Sequence, residues 1–226
     1  MLIKSVLKFL RKVNPWKTLY FNFHYFPFKI ALRLPFFIYR RSELYKMKGQ
    51  IIIDAPVYTG MVKLGAHGLG TQDVLFSRTM WEVSGTLIIK GKADIGRGSK
   101  ISIGKDATLT LGNKFTVTGK SAIICQKEIV FGADCLLSWD ILIMDTDFHP
   151  VVNEYGERIN VSKPIKIGNH LWIGCRNTIL KGVTIAGNNI ISAGSTITRS
   201  VLIENCVIGG CGKNAGIIKN GMKWEH

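Results

Sequence analysis

Histidine occurs at positions 24, 67, 149, 170 and 226, and only His149 falls in a long polar stretch that interrupts a patterned region. An imidazole is the side chain best suited to exchanging a proton near neutral pH, because its unperturbed pKa is about 6.5. That makes His149 the candidate general base. Asp145 and Asp147 precede it in the run Asp145-Thr-Asp-Phe-His-Pro150. Either carboxylate could orient the imidazole, stabilise its charged form or bind a substrate hydroxyl, and either is equally suited to capping a loop. Cys125, Cys135, Cys175, Cys206 and Cys211 form no CxxC pair, and their odd number points to free thiols in a reduced, cytoplasmic setting. Cys175 reads as a small turn residue rather than a nucleophile.

The scaffold that must hold these groups is announced by a repeat. Ile167, Ile173, Ile179, Ile185, Ile191, Ile197 and Ile203 recur every six residues. A helix needs a period of 3.6 and a lone strand a period of 2. A period of six fits a triangular coil with one inward aliphatic residue on each side. Ile89, Ile95 and Ile101 keep the same step in another phase, as do Leu111, Val117, Ile123, Ile129, Cys135 and Ile141. Glycines directly follow inward positions at Gly96, Gly104, Gly112, Gly168 and Gly174, which suggests corners with positive φ. The repeat lapses over residues 145–164, and so long a loop in a regular solenoid is usually functional. The reading is an all-β solenoid over 51–210, with irregular opening coils at 50–88 and a C-terminal cap at 211–226.

Charge is uneven. Of a net +15, residues 1–50 carry eleven Lys/Arg against the single acid Glu43. Leu2, Ile3, Val6, Leu7, Leu10 and Val13 take helical steps with Lys4, Lys8, Arg11 and Lys12 between them. Residues 15–45 interleave aromatic rings with cations. A basic, amphipathic, helical N-terminal segment is expected. It would either touch an anionic membrane peripherally, on the cytoplasmic face, or pack as an arm on the solenoid. No nucleic-acid motif accompanies the charge. No apolar run of eighteen residues is present to cross a bilayer.

Four stretches resemble the hexapeptide-repeat acyltransferases, in the branch holding galactoside and maltose acetyltransferases and polysaccharide O-acetyltransferases. They are Asp145–Pro150, His170-Leu-Trp-Ile-Gly174, Ile179-Leu-Lys-Gly-Val-Thr-Ile185 and Ile191-Ser-Ala-Gly-Ser-Thr-Ile-Thr-Arg199. The resemblance covers about residues 87–210. It implies a left-handed parallel β-helix and a homotrimer with sites between subunits. It implies transfer of an acyl group, expected to be acetyl, from coenzyme A to a hydroxyl of a sugar, as in surface polysaccharide biosynthesis, with no metal. Acyl transfer to an alcohol requires a base for the hydroxyl, donors for the oxyanion and a thioester held within reach. By resemblance His149 is the base, and Gly174, Cys175 and Ala193 line the pantetheine path. Thr198 and Arg199 stand near the nucleotide phosphates, where guanidinium geometry suits. Trp172 walls the acyl tunnel or simply caps an edge, and Ser121 falls near an acceptor-binding position. The tail Gly212-Lys-Asn-Ala-Gly216 departs from the family's Gly-x-Pro-Ala-Lys signature. The rival readings are a zinc-dependent, γ-carbonic-anhydrase-like protein using His67, His149 and His170, and a non-catalytic β-helix.

Overall fold

The computed structural model describes residues 12–70, 73 and 75–225. Its body is a three-faced parallel β-helix. Face one stacks nine strands, from Phe36–Ile38 through Ala93–Ile95, Phe115–Gly119, Leu136–Trp139, Trp172–Ile173 and Ile190–Ile191 to Cys206–Gly209, closing with Gly216–Asn220. Face two stacks eight, from Ser42–Met47 to Cys211–Gly212. Face three stacks six, from Gln50–Ile53 to Thr184–Ile185. Every pairing between these strands is parallel except the last, where Gly216–Asn220 runs antiparallel to Cys206–Gly209.

The six-residue step is the side of this triangle. Ile173 stacks on Ile191 and Ile179 on Ile197, a vertical step of eighteen residues, three sides long. Ile101, Val117, Ile123, Ile129, Ile143, Ile167, Ile185 and their equivalents are essentially fully buried, so each coil contributes one apolar residue per side to a continuous core. The series ends one step early. Ile203 is 60% exposed, because after Ile197 the chain keeps only the single bridge Val201–Ile185 on face three.

Two expectations about the coils are corrected. The solenoid begins at Phe36 rather than at residue 51, since Phe36–Ile38 and Ser42–Met47 already lie in register on Val62–Leu64 and Thr79–Val83. Residues 50–88 do form opening coils of irregular length, with strands at Gln50–Ile53, Val62–Leu64, Thr79–Val83 and Thr86–Ile89 joined by long turns. The glycines after inward positions do not sit at positive φ. The left-handed corner positions between faces three and one belong instead to Lys114, Asp134, His170, Asn188 and Asn205. Gly96, Gly112, Gly168 and Gly174 are needed because the next coil's backbone passes too close for any Cβ. At Gly112 a Cβ would lie 2.1 Å from the Gly132 carbonyl oxygen. Gly112→Ala is accordingly expected to destabilise the fold by roughly 1–3 kcal/mol, the usual cost of overpacking against an unyielding neighbour. Urea melts of the two proteins measure it. An unchanged midpoint would mean that the coils can spread at that corner.

The N-terminal segment caps the open end of the coil. Helix α1 (Pro15–Tyr25) starts at Asn14, whose side chain accepts the Lys17 N–H at 3.0 Å, with Pro15 in the first turn. It stops before Pro27, which cannot continue it. Phe21 is fully buried among Phe36, Tyr25 and Trp81, so part of the aromatic segment is a packed plug. The Tyr25 hydroxyl accepts the Trp81 Nε1–H at 3.1 Å, and burial pushes its pKa up to about 12. The helix expected over residues 2–13 lies almost wholly outside the described residues. At the other end Trp224 stacks on His170 at a centroid distance of 4.4 Å, drawing the tail back along the corner of faces three and one. Among the described residues no helix is long and apolar enough to cross a membrane.

Candidate active site

The loop 145–164 leaves the corner between faces two and three, after Leu142–Met144 and before Ile165–Ile167. Its base is a carboxylate clamp. Asp145 is fully buried, its Oδ1 accepting the Gln126 N–H at 2.7 Å and its Oδ2 accepting the N–H groups of Lys127 and Glu128 at 2.8 Å each. The Lys163 N–H closes the loop onto the Asp145 carbonyl at 3.1 Å. The Cys125 thiol beside this clamp is pushed well above its ordinary pKa by burial and then by the Asp145 charge, which leaves it inert. Farther out, Asn153 Oδ1 accepts the N–H groups of Tyr155 and Glu157, turning the tip into a small hairpin bridged at Val152 and Arg158.

His149 lies exposed between these two structured ends. Phe148 before it has φ 59°, and its N–H donates to Thr146 Oγ1 at 3.0 Å, so the chain is tightly turned where the imidazole leaves it. The backbone is held by Asn160, whose Nδ2 donates to the His149 carbonyl and to Asp147 Oδ2, each at 2.8 Å, and whose Oδ1 accepts the Val151 N–H at 2.7 Å. Lys181 Nζ, from the next coil, donates to the same Asp147 oxygen. The Lys181 and Asn160 bonds hold the Asp147 carboxyl below the usual carboxylate range. The two aspartates are thus separated by geometry. Both Asp145 oxygens are spent on backbone N–H groups, whereas Asp147 lies beside His149 and keeps Oδ1 free of bonds to the described residues.

One groove borders this arrangement and a second lies across face two from it. One, of about 620 Å³, crosses the outside of face two between Tyr45, Phe76, Arg78, Glu82 and Lys100, with Phe148 of the loop as one wall. The second, of about 340 Å³ and strongly apolar, runs along the corner of faces one and two. Trp172, Gly174, Cys175 and Ala193 line it together with Ser138 and Trp139. Four of the six residues expected near a cofactor therefore share one surface, and Trp172 is fixed there by its Nε1–H, which donates to Ser138 Oγ at 3.2 Å. Thr198 and Arg199 are exposed on the other corner, that of faces two and three, one coil beyond Lys181. Ser121 does not front either groove. It is buried at 2% exposure, its Oγ donating to the Gly119 carbonyl and accepting the Ile141 N–H, and so it serves the turn. His67, His149 and His170 stand on three different corners of the triangle, with His170 Nδ1 at 2.7 Å from Asp134 Oδ2, and they do not converge.

Lys181, Asn160, Ser138 and Trp139 were not singled out by sequence. The repeat could have found two of them. Lys181 is one eighteen-residue coil before Arg199, and Trp139 occupies the corner position below Cys175. Asn160 sits in the loop without a pattern to mark it.

No family model matches the chain. It is 41% identical over 87 residues to the polysialic acid O-acetyltransferase of Neisseria meningitidis, a match covering 38% of this chain and 40% of that protein. It is 31% identical over 96 residues to the galactoside O-acetyltransferase of Escherichia coli (strain K12), covering 42% of this chain and 47% of that protein. The chain thus spans less than half the length of these curated relatives. Among solved structures, the polysialic acid O-acetyltransferase OatWY aligns with a TM-score of 0.46 at 26% identity, over 82% of this chain and 91% of that one.

Proposed function

We propose that the chain is a coenzyme A-dependent O-acetyltransferase that moves an acetyl group from acetyl-CoA to a hydroxyl of a sugar, in the making or modification of a surface polysaccharide. The observation that carries this reading is the break in the coil at 145–164. It presents the exposed His149 on a braced loop whose Phe148 walls a groove lined by aromatic and charged side chains, with a second, apolar groove suited to an extended chain on the corner across face two. The similarity to named O-acetyltransferases of two sugar classes supports it.

In this mechanism His149 takes the proton of the acceptor hydroxyl as its oxygen attacks the thioester carbonyl. The tetrahedral oxyanion collapses, the carbon–sulfur bond breaks, and the imidazolium returns the proton to the departing thiolate. Asp147 is the carboxylate placed to assist, either orienting the ring or receiving an acceptor hydroxyl. Trp172, Gly174, Cys175 and Ala193 flank the pantetheine arm, where small residues let an extended chain lie against backbone. Thr198 and Arg199 meet the phosphates. Tyr45 and Phe76 offer flat faces to an acceptor ring, with Arg78, Glu82 and Lys100 for its polar groups.

The loop also leaves Phe148, Val151, Val152, Tyr155 and Ile159 more than half exposed. Such a surface calls for a cover, and we assign it to a neighbouring copy in a homotrimer. The protein would work in the cytoplasm, in peripheral contact with the anionic face of a membrane.

The deciding experiment incubates the protein with acetyl-CoA and a panel of nucleotide-linked, lipid-linked and polymeric sugars. Thiol release and the mass of the sugar product are followed together. Acetylated sugar appearing in step with free coenzyme A supports the reading, and hydrolysis without any acetylated product across the panel would refute it. Arg199→Glu is expected to weaken coenzyme A binding on the order of ten-fold, by replacing attraction to phosphate with repulsion, while the coil stays folded because the residue is exposed. Titration calorimetry with coenzyme A reads it, and an unchanged Kd removes the phosphates from that corner.

A further inference from the structure

Helix α1 is amphipathic in the reverse of the usual sense. Its inward face holds two polar residues, Thr18 and Asn22, both buried. Asn22 Nδ2 donates to the Phe36 carbonyl at 2.8 Å, and its Oδ1 accepts the Phe36 N–H at 3.0 Å. Thr18 Oγ1 accepts the Ile38 N–H at 3.0 Å. These side chains take the place of a missing neighbour along the edge of the first strand, Phe36–Ile38. The helix is thus docked by polar bonds beside an aromatic plug of Phe21 and Tyr25.

The consequence is an outward apolar stripe. Trp16, Leu19, Tyr20 and Phe23 follow at steps of three and four, with exposures of 81%, 40%, 60% and 43%. The stripe continues onto Phe28, whose ring lies 5.8 Å from that of Phe23, and onto Leu32. Lys12, Lys29 and Arg33 are exposed around it. Residues 1–42 contain nine Lys/Arg and no acid, and the first acid, Glu43, is engaged by Lys17 at 3.3 Å.

We propose that this stripe is a membrane-docking face that lies in the headgroup layer of an anionic bilayer. The proposal rests on the peripheral membrane contact assigned above and names the surface responsible for it. Tryptophan and tyrosine rings favour the bilayer interface, and surrounding Lys and Arg are drawn to its negative charge. A second copy meeting the same face would set unbalanced cations against cations, which disfavours self-association there. The contact is interfacial, with the helix lying along the surface.

The test compares the full chain with the triple variant Trp16→Ser, Tyr20→Ser, Phe28→Ser in sedimentation with phosphatidylcholine vesicles, with and without phosphatidylglycerol. The full chain is expected to sediment with the anionic vesicles and to be released as salt rises. The variant should lose binding on the order of ten-fold or more, since the three most exposed rings of the stripe are gone while its charge is intact. Its thermal unfolding, and acetyl transfer to a soluble acceptor, should match the parent, because all three residues are exposed and distant in sequence from the catalytic loop. A full chain that ignores anionic vesicles at low salt overturns both the membrane contact and the docking face. A variant that binds as tightly as its parent overturns the face alone. A variant whose oligomeric mass changes in sedimentation velocity, with no difference in vesicle binding, gives the stripe to a protein contact instead and overturns the proposal.

Discussion

His149→Ala is expected to lower the turnover of acetyl transfer by roughly two to four orders of magnitude, the usual worth of a positioned general base. That corresponds to about 3–5 kcal/mol of barrier. The expectation rests on the separation of the ring from its supports. Asn160 holds the His149 carbonyl and Asp147 holds Asn160, while the imidazole itself is exposed and makes no hydrogen bond to the described residues. Removing the ring therefore leaves the network that shapes the loop in place. Melting temperature and coenzyme A affinity should both stay near the parent values, so that the loss falls on kcat. Turnover within a factor of a few of the parent would take His149 out of the mechanism. An Asn160→Ala control makes the comparison sharper, since it leaves the ring and frees the backbone that aims it.

The sequence and the structure agree most closely where the physics is periodic. The inward residues from Ile89 to Ile197 could be read directly because a three-sided coil imposes one buried side chain every six residues, and a loop that breaks such a period is conspicuous. Ile203 kept the period and still faces solvent, because the last coil is shortened and Val201 stands over Ile185 in its place. The first strands escaped notice for the opposite reason. Phe36–Ile38 pairs with Val62–Leu64 and Ser42–Met47 with Thr79–Val83, separations much longer than a regular coil, so no fixed step links them. Thr18 and Asn22 were equally hidden, since satisfying a strand edge leaves no hydrophobic signature. The glycines do fall at corners, for a reason other than positive φ. Close approach between stacked coils selects glycine as strongly as positive φ does, and composition alone does not separate the two. At the site, type and position identified His149 as the candidate base, but the unlike placement of Asp145 and Asp147 needed coordinates. Two carboxylates two residues apart on an irregular loop can point anywhere.

That difference gives the second large effect. Asp145→Ala is expected to destabilise the protein by roughly 3–5 kcal/mol, because it leaves a buried turn with donors that nothing else meets, each unsatisfied group costing about 1–3 kcal/mol. The N–H groups of Gln126, Lys127 and Glu128 all converge on this one carboxylate, and the same residue receives the loop's return through the Lys163 N–H. Its backbone bond to Lys163 survives the substitution, so the loop should still close, but over a loosened corner. The expected signature is a lowered urea midpoint together with faster hydrogen exchange at residues 126–128, in a protein that still turns over while it remains folded. Asp145→Asn is the informative companion. Its carbamoyl oxygen can keep part of the acceptor set, while its NH₂ group faces an N–H donor it cannot bond, so it should fall between the parent and the alanine variant. If instead both variants kept full stability and lost turnover to the extent of His149→Ala, the clamp would be incidental. Asp145 would then belong with the imidazole as a member of the reacting group.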